Sequence, residues 1–82
     1  MYEIRVLDLD AGKLMQEESA VKAAVRKSNI SARVTMMADN LAITRMGLLG
    51  DMPAIEIDGR IVMKGKPIEL QEVMNLFQTL NL

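Results

Sequence analysis

The sequence predicts an α/β fold with seven elements in the order βαβαββα. Twice in the first half, apolar residues change from every second position to helical spacing, as a strand followed by a helix requires. Two runs of β-branched residues then flank Asp58-Gly59, a pair that strongly favours a β-hairpin. A chain of 82 residues has room for a single domain, residues 1–82.

The first strand and the first helix are predicted within the first 28 residues. Apolar and charged residues alternate from Tyr2 to about Leu9, as in a strand with at least one buried face. Asp10 to Lys13 breaks this alternation and is expected to be a loop. Good helix formers follow from Leu14 to about Ser28, and Asn29 is the expected end. The apolar stripe of this helix consists of Leu14, Val21, Ala24, Val25 and Ser28.

The second strand and the second helix are shorter. Ser31 to Met37 alternates around three apolar positions, which predicts a strand. From about Ala38 to Met46 the apolar residues lie at helical spacing, which predicts a helix of about two turns. Glycine is favoured just beyond a helix, so Gly47 and Gly50 are the expected end of this helix.

A hairpin and a last helix complete the chain. The hairpin strands are predicted at Ala54–Ile57 and Arg60–Lys64, on either side of the Asp58-Gly59 turn. The segment from Gly65 to Pro67 closes the hairpin. The last helix is predicted from about Ile68 to Leu80, because its apolar residues recur along one stripe.

The order of the elements determines the expected sheet. A strand, helix, strand unit forms a right-handed parallel crossover, so the second strand lies beside the first. The hairpin then adds antiparallel strands at the other edge of the first strand. We therefore expect a mixed four-stranded sheet of order 2-1-3-4 with helices on both faces.

The composition excludes several kinds of chemistry. The chain has no Cys, His or Trp, which excludes thiolate nucleophiles, disulfide exchange and imidazole bases. Its 10 basic and 11 acidic residues form no basic run, and Tyr2 and Phe77 are its only aromatic residues, so no nucleic-acid partner is expected. No apolar stretch is long enough to span a membrane, and the expected location is the cytoplasm. No cofactor is predicted.

The second half of the chain resembles a known family of small redox proteins. From Pro53 to Gly59 the sequence reads Pro-x-hydrophobic-x-hydrophobic-Asp-Gly, and Gly65 lies ahead of the last helix. These features are similar to those of the archaeal and bacterial thioredoxin/glutaredoxin-like proteins called the redox-active disulfide protein 2 family. The resemblance covers nearly the whole chain. It implies a thioredoxin-like fold of glutaredoxin size, with a cis peptide bond before Pro53.

The resemblance also implies that the redox site has been lost. The family carries a Cys-x-x-Cys motif between the first strand and the first helix, and its cysteines fall at Ala11 and Leu14 of this chain. Neither side chain forms a thiolate, which is the attacking species in every disulfide exchange. Leu14 is expected to enter the core instead. We therefore expect a redox-inactive protein without thiol-disulfide oxidoreductase activity.

The former redox site is expected to be a shallow groove that binds a protein or peptide. The resemblance places the loop after the first strand opposite Met52, the residue before the cis-proline. In thioredoxin-like proteins the backbone of this residue pairs with an extended peptide, and such pairing needs no thiol. The expected groove residues are Asp10, Ala11, Gly12, Lys13, Leu14, Asp51, Met52, Pro53, Gly65 and Lys66.

Other interpretations of the acidic and sulfur-containing residues stay open. Asp8, Asp10 and Asp51 are candidate ligands for a hard cation, whereas Asp10 also suits a helix cap or an ion pair with Lys13. Asp10 and Asp51 are also candidates for the acid and base of an enzyme, which needs one raised pKa that the sequence does not indicate. The eight Met residues are more typical of core filling than of copper binding.

The main alternative function is assembly through a sheet edge. The second strand, Ser31 to Met37, is expected at the outer side of the sheet, where its backbone groups on one side have no partner. Arg33 and Thr35 protect this edge only in part. Strand pairing at this edge would produce a homodimer or a heteromeric complex.

Overall fold

The computed structural model describes residues 1–82 and confirms the order βαβαββα. Four strands and three helices are present. The strands are β1 (Tyr2–Leu7), β2 (Ala32–Met37), β3 (Ala54–Ile57) and β4 (Arg60–Lys64). The helices are α1 (Ala11–Lys27), α2 (Asn40–Arg45) and α3 (Leu70–Thr79).

The start of α1 differs from the prediction. The helix begins at Ala11, so the expected loop from Asp10 to Lys13 is wrong for three of its four residues. The cause is a side-chain cap, since the Asp10 carboxylate accepts a hydrogen bond from the Lys13 backbone N–H at 3.0 Å. Such a cap satisfies one of the N–H groups that have no partner at a helix start. Asn29 ends α1 as expected, with a φ of 54°.

The two other helices also differ from the prediction, and both are shorter than expected. Asp39 caps α2 through the Leu41 and Ala42 N–H groups, so this helix begins at Asn40 and not at Ala38. Gly47 follows its end with a φ of 74°, which a residue without Cβ adopts at little cost. In α3 the first helical residue is Leu70, since Glu69 before it has an extended backbone with φ −123° and ψ 147°. Ile68, ahead of the helix, is buried in the core.

The sheet has the predicted order β2-β1-β3-β4. β1 and β2 are parallel, and Leu7 lies opposite Met37 at their ends. β3 runs antiparallel to both β1 and β4, with Ala54 opposite Leu7. This mixed sheet with three helices is the thioredoxin-like arrangement. Residues after the end of β1 therefore lie beside those that precede β3.

The helices lie on both faces of the sheet, as predicted. One face packs against α1 and α3, and its buried residues include Ile4, Val6 and Phe77. On the other face Leu7, Ile43, Leu48 and Ala54 form a smaller core under α2. The rest of that second face carries ion pairs between neighbouring strands, Arg5 with Glu56 at 2.7 Å and Arg33 with Glu3 at 2.9 Å. No helix of the structure is both long enough and apolar enough to cross a membrane.

Candidate functional site

The candidate site lies where β1 ends and β3 begins. Because Leu7 pairs with Ala54, the chain that leaves β1 passes beside the chain that enters β3. The topology thus places two parts of the predicted groove at the same end of the sheet, and we call them the helix wall and the Met52 wall. The helix wall is Asp10 to Lys13, and the Met52 wall is Asp51 to Pro53.

The Met52 wall is positioned by backbone hydrogen bonds. The Met52–Pro53 peptide bond is cis, as the resemblance implied. The Gly65 N–H donates to the carbonyl oxygens on both sides of Met52, that of Asp51 at 2.9 Å and that of Pro53 at 3.0 Å. The N–H and C=O of Met52 itself take part in no hydrogen bond within the protein. One donor and one acceptor are therefore left for a partner at a half-buried position.

The helix wall consists of a capping residue and the first turn of α1. Asp10, Ala11, Gly12 and Lys13 are all exposed. Leu14 is 5% exposed and belongs to the main core, so its predicted place in the core is confirmed and its place on the groove surface is wrong. The chain contains no cysteine, so thiol-disulfide chemistry is excluded.

The two remaining predicted groove residues occupy different places. Gly65 lies against the Met52 wall through its N–H group. Lys66 instead lines a surface depression of about 600 Å³ between β4 and α3, together with Ile61, Met63 and Leu76. This depression does not include the helix wall or the Met52 wall. Lys66 thus lines the depression, and its place at the rim of the groove stays a prediction.

The acidic residues considered as candidate metal ligands have other contacts in the structure. No three of them lie close enough together to hold a metal ion. Asp10 caps α1, and the Asp51 carboxylate lies 3.8 Å from the Lys64 ammonium. Asp8 is 6% exposed, and its carboxylate accepts a hydrogen bond from the Asp10 N–H at 3.3 Å. Asp8 is therefore a buried residue at the end of β1 and not a solvated one.

Glu17 is the residue near the site that sequence reasoning missed. It is 9% exposed, and its carboxyl group lies close to that of Asp8. Burial, the neighbouring Asp8 carboxyl group and the charge of Asp8 raise the pKa of Glu17 to about 8. The sequence contained a signal for the burial of Glu17, because the apolar stripe of α1 has a gap between Leu14 and Val21. Glu17 fills that gap, three residues after the first and four before the second.

Comparisons with protein-family models and with curated proteins identify no relative. No protein-family model matches the chain, and no curated protein matches it. The resemblance to the redox-active disulfide protein 2 family therefore stays a prediction. The thioredoxin-like arrangement and the absence of thiols do not depend on it, because they follow from the topology and the sequence.

Proposed function

We propose that this protein is a redox-inactive thioredoxin-like binding module that takes an extended protein or peptide segment along the groove between its two walls. The observation that carries the proposal is the backbone of Met52. Its N–H and C=O make no hydrogen bond within the protein, whereas the carbonyl oxygens of Asp51 and Pro53 on either side accept hydrogen bonds from the Gly65 N–H. An extended segment pairs with such groups as an added strand does.

The expected interaction is modest in affinity. Two main-chain hydrogen bonds to Met52 contribute about 0.5–1.5 kcal/mol each. The Met52 side chain adds a flexible apolar contact, since it packs only in part against the small core under α2. Leu9 and Leu49 come shortly before the two walls in the chain and are 39% and 50% exposed. We therefore expect the partner segment to carry apolar side chains near its contact with Met52.

The proposal is tested with peptides selected from a random displayed library against the folded protein. Binding of a selected peptide is then compared between two lysine variants. Met52→Lys changes the proposed contact, and Met15→Lys changes a Met on α1 that is 65% exposed and lies outside both walls. We expect Met52→Lys to weaken binding about tenfold, a loss of about 1.4 kcal/mol, and Met15→Lys to leave it unchanged.

Backbone NMR signals locate the same peptide independently of the variants. Shifts at Met52 and in the helix wall would support the proposal. A selected peptide that shifts instead the signals of Met63 and Leu76, in the depression between β4 and α3, would contradict it. Circular dichroism of both lysine variants checks that each one is folded.

Assembly through β2 is the second candidate function, and one observation favours it. β2 pairs with β1 alone, so its outer edge is unpaired along the strand, and Met36 near the end of the strand is 44% exposed. A dimer formed by this edge would sediment as two copies of the chain, and Met36→Lys would convert it to a monomer. Sedimentation of the unaltered protein as a monomer at high concentration would contradict a homodimer.

A further inference from the structure

Two buried carboxyl groups lie directly behind the helix wall. Asp8, just after β1, is 6% exposed, and Glu17, in the second turn of α1, is 9% exposed. One oxygen of each, Oδ2 of Asp8 and Oε1 of Glu17, is buried and accepts no hydrogen bond from any protein donor. None of the four ion pairs of the molecule includes either residue. Two ionised carboxylates in contact without a cation would repel each other.

We propose that Asp8 and Glu17 form a proton-binding pair, which holds one shared proton in the folded protein at neutral pH and thereby stabilises the start of α1 against the end of β1. A protonated carboxyl group is a donor, and an ionised carboxylate is an acceptor. One proton between the two groups therefore supplies the hydrogen bond that their buried oxygens lack and removes one of the two charges. We call these two residues the carboxyl pair.

The carboxyl pair is connected to the helix wall by two successive hydrogen bonds. Asp8 accepts from the Asp10 N–H through Oδ1 at 3.3 Å, and Asp10 accepts from the Lys13 N–H at 3.0 Å. The Asp8 N–H in turn donates to the carbonyl of Met37 at 3.2 Å. Asp8 thus joins the end of β2 to the cap of α1. Ionisation of Glu17 would place a second negative charge beside Asp8, the residue that positions this cap.

The charges around Glu17 agree with a retained proton. Asp8 acts on it from the end of β1 and Asp10 from the helix cap, and both favour the protonated form. Lys13, in the first turn of α1, opposes them in part. The pKa of Glu17 is raised from 4.5 to about 8, so the folded protein keeps a proton that the unfolded chain releases. Stability therefore falls as pH rises from about 4.5 to about 8, and this contribution levels off above that range.

The experiment is an NMR titration of the free protein, and its result does not depend on whether a peptide binds the groove. Glutamate side-chain carboxyl carbons are labelled, and the Glu17 signal is identified by its loss in Glu17→Gln. We expect this carbon to titrate near pH 8. The backbone amide signals of Asp10 and Lys13 should move with the same midpoint. They should stay unmoved in Glu17→Gln, whose amide is uncharged at every pH.

Two further variants keep the titration decisive. Glu18→Gln removes the neighbouring carboxylate, which pairs with Lys22, and should leave both the midpoint and the amide shifts unchanged. Asp8→Asn should lower the Glu17 midpoint by about 1 pH unit or more, because it removes the like charge. A Glu17 carboxyl group that titrates near 4.5 would overturn the proposal. Amide signals of Asp10 and Lys13 that do not move as Glu17 titrates would also overturn it. A carboxyl pair that holds no proton at neutral pH and binds Ca²⁺ at pH 9 would overturn it as well.

Discussion

The two walls of the groove are stabilised by different kinds of interaction. The Met52 wall depends on one neutral backbone donor, the Gly65 N–H, which reaches two carbonyls. The helix wall depends on a carboxylate cap, behind which lies the carboxyl pair of Asp8 and Glu17. The Gly65 contacts involve no titratable group, and the one carboxylate of the Met52 wall, Asp51, is exposed and lies near Lys64. The helix wall and the carboxyl pair behind it contain several titratable groups. This difference predicts that loss of a proton near neutral pH affects the helix wall more than the Met52 wall.

The largest effect is expected from Glu17→Leu, which removes the pH response of the helix wall. Leucine continues the apolar stripe between Leu14 and Val21 and leaves Asp8 as the only buried carboxylate there. At pH 9 we expect the free energy of unfolding to rise by about 3 kcal/mol, within the range for replacing buried charged groups by apolar ones. At pH 5, where Glu17 is protonated, the gain should fall below about 1 kcal/mol.

Urea unfolding at pH 5, 7 and 9 measures this difference. Glu18→Gln is the matched control, because it removes an adjacent carboxylate that has a Lys22 partner. Its pH profile should parallel that of the unaltered protein. A stabilisation by Glu17→Leu that is equal at all three pH values would show that the two walls do not differ in their response to protons.

A smaller effect, independent of pH, is expected from Gly65→Ala in the Met52 wall. Gly65 has a φ of 69°, and alanine in this region costs about 1–2 kcal/mol. An added Cβ would lie 3.9 Å from the nearest atom, so the cost is conformational and not steric. The loss should be the same at pH 5 and pH 9. Gly50→Ala is the matched control, since Gly50 has open space around it and no positive φ, and it should lose nothing.

Asp10→Ala is expected to destabilise the helix wall by about 1 kcal/mol. It removes the side-chain acceptor for the Lys13 N–H, and losses of this size are usual for such caps. It also removes a negative charge that raises the pKa of Glu17, so the Glu17 midpoint should fall. Thermal unfolding and the carboxyl titration measure the two effects. Asp39→Ala, at the cap of α2, should cost a similar amount without moving the Glu17 midpoint.

Lys64→Met is expected to have the smallest effect. Lys64 and Asp51 lie 3.8 Å apart with side chains 56% and 43% exposed, and exposed pairs of this kind contribute about 0.5 kcal/mol or less. The Met52 wall should therefore keep its stability, measured by urea unfolding in low and in high salt. A loss above about 1 kcal/mol at low salt would mean that charge as well as the backbone positions this wall.

The sequence was sufficient for the fold because its periodicities are regular. Strand alternation, the Asp58-Gly59 turn and the right-handed crossover together predicted the strand order that the structure has. The helix starts were missed because Asp10 and Asp39 set them through side-chain hydrogen bonds, which hydrophobic periodicity does not register.

The candidate site was less predictable. The place of the groove and the cis bond at Met52 came from the family resemblance and not from periodicity. The burial of Asp8 and Glu17 was missed because an isolated acidic residue on a helix or after a strand is usually solvated. Their contact depends on how α1 packs against the end of β1, which becomes visible only once the elements are assembled.

Hydrogen exchange at the Met52 amide tests the binding proposal most directly. The Met52 N–H has no acceptor in the free protein, so it should exchange rapidly there and slow markedly when a display-selected peptide binds. Met52→Lys and Met15→Lys serve as the weakened and the unaffected variants in the same measurement. We predict new protection at Met52 with none along β2. Protection that arises along β2 while Met52 still exchanges freely would contradict it and assign the interaction to the sheet edge.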